Sequence, residues 1–193
     1  MLSSLVADRV RERVLRLGAL LARTGLTPNQ LTVMGLVLNG VVGWVAAEGR
    51  LQLAGVFLIV AGAFDMLDGA VARATGRVTR FGGVLDSVLD RYAEAFVLGG
   101  LLIWIVRTEL GAVPVLLCYA TIVGSILVSY VRARAEGAGI ALTQGFFARP
   151  ERIVVLALGL LLDRPIWALW LLAVATNLTV LQRLWLVRRA ARD

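Results

Sequence analysis

Asp65 and Asp68 are three residues apart, and Asp86 and Asp90 four apart, in a chain that is 59% hydrophobic. On a helix those spacings put each pair on one face. An ionised carboxylate at membrane depth is costly unless a cation compensates it, so four in one segment demand a positive partner. Two such faces brought together make a cage of carboxylate oxygens, the donor set preferred by one or two hard divalent cations. The chain of 193 residues has no histidine, which removes the commonest general base and the commonest zinc or iron ligand. Carboxylates are left to carry both proton transfer and metal binding.

The neighbours of the aspartates point to phosphate. Gly69 and Ala72 follow the first pair, and Gly82 lies one turn before Asp86. Small side chains beside carboxylates let a metal-bound diphosphate lie against the backbone. Arg73, five residues past Asp68, can reach phosphate oxygens that the metals leave uncompensated. Thr79 and Arg80 stand at the mouth of the segment. Two cations about 3.5–4 Å apart orient a phosphoryl group and offset charge on its leaving oxygen. An attacking alcohol must lose a proton, and a carboxylate is the available base.

These groups need a scaffold, and composition says which. Only 17% of residues are charged, and apolar runs of membrane-spanning length recur along the chain, so the expectation is an all-α integral membrane protein. Residues 2–23 alternate apolar residues with Arg9, Arg11, Arg13 and Arg16, the pattern of an amphipathic helix lying in the interface. Thr27 and Pro28 then restart the chain as cap and first helical turn. Six spans are expected at 30–48, 52–73, 81–106, 111–134, 150–162 and 165–187. The result is one membrane domain over 1–193, an interfacial helix before a six-helix core at 26–187. Gly35, Gly40 and Gly43 serve close helix packing. The single Cys118 excludes an intrachain disulfide.

All twenty basic residues are arginine, always charged and able to clamp phosphate bidentately. They cluster before span one, between spans two and three, between four and five, and after six. That alternation puts both termini in the cytoplasm, and the aspartates at the cytoplasmic ends of spans two and three. The net charge of +7 suits anionic lipid head groups.

The spacing D-x2-D-G-x2-A-R-x8-G-x3-D-x3-D is met without departure from Asp65 to Asp90. It resembles the defining motif of the CDP-alcohol phosphatidyltransferase family, enzymes that build phospholipid head groups. The resemblance implies six transmembrane helices, a homodimer in the cell (inner) membrane, and two divalent cations, Mg2+ or Mn2+. It implies attack of an alcohol hydroxyl on the lipid-linked phosphorus of CDP-diacylglycerol, with CMP leaving. By position it makes Asp65, Asp68 and Asp86 metal ligands, and Asp90 both ligand and base. Gly69, Arg73 and Thr79 would hold the CDP moiety, assisted by Thr27, Pro28, Asn29 and Gln30.

Arg132 near the end of span four, Arg149 and Arg152 at the start of span five, and Arg183 late in span six all fall on the aspartate side. Together they are expected to bind the phosphate of an anionic acceptor. These segments are similar to phosphatidylinositol phosphate synthases of actinobacterial type, which implies inositol phosphate as acceptor. Arg132 stands where that group typically has lysine. Glycerol 3-phosphate, giving a phosphatidylglycerophosphate synthase, is the alternative that the same arginines allow. A small cation transporter would spread acids along a pore; here they are confined to one face beside Arg73. No nucleic-acid partner is expected.

Overall fold

The structure is a computed structural model that describes residues 25–191 except 77 and 143; the interfacial helix expected at 2–23 lies outside the described residues. Six helices follow one another: α1 (Pro28–Ala47), α2 (Leu51–Thr75), α3 (Arg80–Arg107), α4 (Ala112–Gly137), α5 (Arg149–Leu161) and α6 (Pro165–Ala190). No strand occurs among the described residues.

Local chemistry sets the ends that matter for the site. Thr27 caps α1 in a capping box: its hydroxyl accepts from the Gln30 amide at 3.3 Å, and the Gln30 side chain accepts from the Thr27 amide at 2.9 Å. Thr79 caps α3, its hydroxyl accepting from the Gly82 amide at 2.9 Å. Gly76 ends α2 in the left-handed region (φ 65°), where glycine carries no steric penalty, and its amide donates to the Ala72 carbonyl.

The helices close a ring. α1 packs on α2 and α3, α3 on α4, α4 on α6, α6 on α5, and α5 on α2. One end holds the starts of α1, α3 and α5 and the last turns of α2, α4 and α6. The apolar core fills the middle and the opposite end, where Val42, Leu58, Leu98, Leu101, Ile105, Leu160, Leu169 and Leu172 are buried together. The outer surface is apolar too: Val37, Trp44, Leu116 and Trp167 stand exposed. Such a surface belongs against lipid tails.

On length and apolarity, four of the expected spans qualify to cross a membrane: α1, α2, α4 and α6. The expected spans at 81–106 and 150–162 exist as helices but differ in kind. α3 is 28 residues long and carries Asp86, Asp90 and Arg91 in its first half and Glu94 at its middle. α5 has 13 residues, about 20 Å of helix against roughly 30 Å of hydrocarbon.

The α1–α3 crossing is as close as backbones allow. A Cβ on Gly43 would overlap the Phe96 carbonyl, and one on Gly100 would overlap the Gly43 carbonyl. Gly100→Leu is therefore expected to destabilise the fold by about 3 kcal/mol or more, an overpacking effect. Thermal unfolding in detergent measures it; an unchanged midpoint would show that the crossing can open without cost.

Candidate active site

The last turns of α2 and the first turns of α3 meet the start of α1 around a cleft of about 350 Å3. Asp68 and Asp86 line it, with Pro28, Asn29, Gly69, Arg73, Thr79 and Gly82. Asp68 is buried, and the Thr32 hydroxyl, one turn into α1, donates to its Oδ2 at 2.9 Å. The glycines keep the cleft open. A Cβ on Gly82 would stand 2.9 Å from Thr79 Oγ1 and 3.2 Å from Asn29 Oδ1; one on Gly69 would meet the Arg73 guanidinium at 3.2 Å. Arg73 thus folds back over Gly69 and presents its charge at the cleft wall. Thr27 and Gln30 do not line the cleft, because each side chain is engaged in the helix cap.

The other two aspartates face a cation that the chain itself supplies. Arg149, the first residue of α5, pairs through one guanidinium nitrogen with Asp65 of α2 and with Asp90 of α3, the latter at 2.8 Å. Arg149 therefore ties three helices together at the aspartate end. One turn deeper, Arg152 and Glu94 form a two-pronged pair, Nε to Oε1 at 2.7 Å and Nη2 to Oε2 at 2.9 Å. Arg152 is only 3% exposed, and its remaining nitrogen donates to the Phe147 carbonyl at 3.4 Å.

Arg183 is also buried; it donates to the carbonyls of Val128 on α4 and Gln144 in the connection before α5. Arg132 differs from both. It is half exposed, pairs with Glu136 at 2.8 Å, and opens onto a second cleft between α3 and α4 shared with Ser87, Arg91 and Tyr130.

The four aspartates are not gathered into a finished cage. Among the described residues, no three acidic side chains are placed to hold one metal ion. The reason lies in their partners: Arg149 holds Asp65 and Asp90, and Thr32 holds Asp68. Three participants were not singled out by motif spacing, namely Thr32, Arg91 and Glu94. Glu94 carries the clearest sequence signal, since it follows Asp90 by four residues and prolongs its face.

The CDP-alcohol phosphatidyltransferase family model matches residues 25–187. Among curated relatives, the archaetidylinositol phosphate synthase of Pyrococcus horikoshii is 37% identical over 188 residues, covering 94% of each chain. The phosphatidylinositol phosphate synthase of Mycobacterium tuberculosis is 39% identical over 184 residues, 85% of this chain and 80% of that one. A crystal structure of the M. tuberculosis enzyme with CDP-DAG bound superposes with a TM-score of 0.84 at 34% identity, covering 90% of this chain and 92% of that one. Its complex with manganese and citrate gives 0.82 at the same identity, covering 90% and 88%. With the aspartate spacing intact and the fold shared over nearly all its length, the chain belongs to the CDP-alcohol phosphatidyltransferase family of membrane enzymes.

Proposed function

We propose that this protein transfers the phosphatidyl group of CDP-diacylglycerol to a hydroxyl of inositol phosphate and releases CMP. The observation that carries this reading is the cleft itself: Asp68 and Asp86 share one cavity with Asn29, Gly69, Arg73 and Thr79. The names of the relatives and the CDP-DAG complex of a structural neighbour support the choice of both substrates.

Asp65, Asp68, Asp86 and Asp90 offer hard oxygen donors, which fit two Mg2+ or Mn2+ ions. The bridging of Asp65 and Asp90 by Arg149 marks a place where positive charge is required. A neighbour's manganese complex supports the same donor chemistry. Bound divalent ions would compensate the diphosphate and the charge developing on the CMP oxygen.

The chain's own residues do the rest. Arg73, lying over Gly69, meets diphosphate oxygens from the cleft wall. Asn29 and Thr79, both beside Gly82, line the same cleft and offer it further polar groups. Asp90 takes the proton of the acceptor hydroxyl as its oxygen forms a bond to the lipid-linked phosphorus and the bond to the CMP oxygen breaks. A carboxylate held by a guanidinium is a poor base, so Arg149 must loosen its hold on Asp90 first. The acceptor phosphate supplies the competing anion, drawing Arg149 away with help from Arg132. Arg152 and Arg183, buried with their donors engaged, fix the walls on which those two stand.

In the bilayer all six helices traverse or enter the membrane, with α5 sheltered between α2 and α6. The arginine distribution supports an inner-membrane orientation with both termini and the aspartate end in the cytoplasm. The working unit is a homodimer, as the family resemblance implies.

The test is CMP release from CDP-diacylglycerol with Mg2+, offering inositol 3-phosphate, glycerol 3-phosphate, inositol and serine separately. Turnover confined to inositol phosphate is the expected result; turnover with glycerol 3-phosphate alone would overturn the acceptor while leaving the aspartate chemistry standing. Chelation with EDTA is expected to abolish CMP release, and added Mg2+ or Mn2+ to restore it. Undiminished release under chelation would remove the metal from the mechanism.

A further inference from the structure

α3 and α5 are not among the helix pairs that pack along their length; they face each other across the ring. Two rungs of opposite charge join them, Asp90 to Arg149 and Glu94 to Arg152. The acids are four apart on one helix and the arginines three apart on the other, so each set lies on one face.

The outer rung belongs to the site already described. The inner rung needs its own explanation. A buried ion pair is a weak source of stability, because removing both charges from water offsets most of their attraction. Well-packed apolar residues at the same places would hold the ring at least as well. What the pair does supply is fixed geometry: two parallel charge-assisted bonds hold the Arg152 guanidinium in one orientation against Glu94.

Arg152 in turn holds the Phe147 carbonyl, two residues ahead of Arg149. Arg149 itself sits where a cation is disfavoured, at the positive end of a helix dipole. Its Nε is buried and makes no hydrogen bond among the described residues. Arg149, Arg152 and Glu94 also contribute to the lining of a small cavity of about 20 Å3 that is otherwise mainly apolar, with Leu58, Leu98 and Leu172 among its walls.

We propose that Glu94 is a positioning residue: by locking Arg152 it fixes the start of α5, so that Arg149 stands on Asp65 and Asp90. Glu94 touches no substrate in this arrangement. It acts through Arg152 and the α5 start, and it sets how readily Arg149 is exchanged between the carboxylates and an incoming anion. The kinetic arm of its test rests on the transfer reaction proposed above; the metal-binding arm does not.

The experiment uses the full chain in nanodiscs and replaces the pair by methionines, Glu94→Met with Arg152→Met, which keeps net charge and approximate volume. Thermal unfolding should stay near wild type. The CMP-release kcat should fall at least about tenfold, as expected when a side chain that orients the acceptor is displaced, with the CDP-diacylglycerol KM within about twofold. Mn2+ binding, read by electron paramagnetic resonance, should tighten at least about threefold, because Arg149 no longer competes from a fixed position. In an Arg149→Gln background the methionine pair should add little further effect, the signature of action through Arg149.

Wild-type kcat and wild-type Mn2+ affinity in a folded methionine variant would overturn the proposal and leave the pair a merely structural rung. Should that variant not fold, Glu94→Gln serves in its place: a tenfold loss of kcat supports the proposal and an unchanged kcat overturns it. If the wild-type enzyme itself releases no CMP, the transfer reading fails, and Mn2+ affinity alone decides on Glu94.

Discussion

Asp90→Asn is expected to keep metal-dependent CDP-diacylglycerol binding and to lower CMP release by at least about a thousandfold, within the usual range for loss of a positioned general base. The substitution preserves shape and hydrogen-bonding reach, and Arg149 retains Asp65 as a partner. Three carboxylates remain for the cations. What disappears is the group that can accept the hydroxyl proton in a site without histidine. Labelled CDP-lipid binding with Mn2+, measured beside turnover, separates the two contributions of Asp90. If it served mainly as a ligand, lipid binding and Mn2+ affinity would fall together with turnover. If turnover survived above about a tenth of wild type, the proton would have to go elsewhere.

The chemistry of this chain was more legible than its geometry. Asp65 to Asp90 announce themselves because acids are rare in apolar segments, and i, i+3 and i, i+4 spacing by itself assigns each pair to one face of a helix. The same local rules locate the six helices. They also explain Thr27 and Gln30, whose spacing is that of a capping box. The structure puts both in the cap, leaving Pro28 and Asn29 to represent the start of α1 in the cleft.

Long-range pairing is a different matter. Arg149 reaches Asp65 across 84 positions of sequence, and that meeting depends on α5 closing the ring against α2. Periodicity assigns a residue to a face but does not say which helix the face will meet. Twenty arginines were available to compensate the acids, and only the closed ring selects Arg149. Glu94 illustrates the limit from the other side. Its spacing from Asp90 was visible, yet its role follows from Arg152 lying opposite it.

Arg149→Gln is the substitution that tests the exchange at the centre of this site. Loss of a charge-assisted, two-pronged contact to phosphate removes roughly 2–3 kcal/mol, so the KM for inositol phosphate should rise about 30- to 150-fold. The KM for CDP-diacylglycerol should change by no more than about twofold, since Arg149 does not line the cleft proposed to hold the diphosphate. A second consequence runs in the opposite direction. Without its guanidinium, Asp65 and Asp90 lose their resident cation, and the metal-free protein should unfold at lower temperature. Added Mn2+ should then stabilise the variant more than it stabilises wild type, because no internal cation has to be displaced. A weaker grip on acceptor together with a tighter grip on metal is the combined signature of one side chain serving two anions in turn. An equal rise in both substrates' KM, or an unchanged response to Mn2+, would instead make Arg149 a fixed strut between α2, α3 and α5.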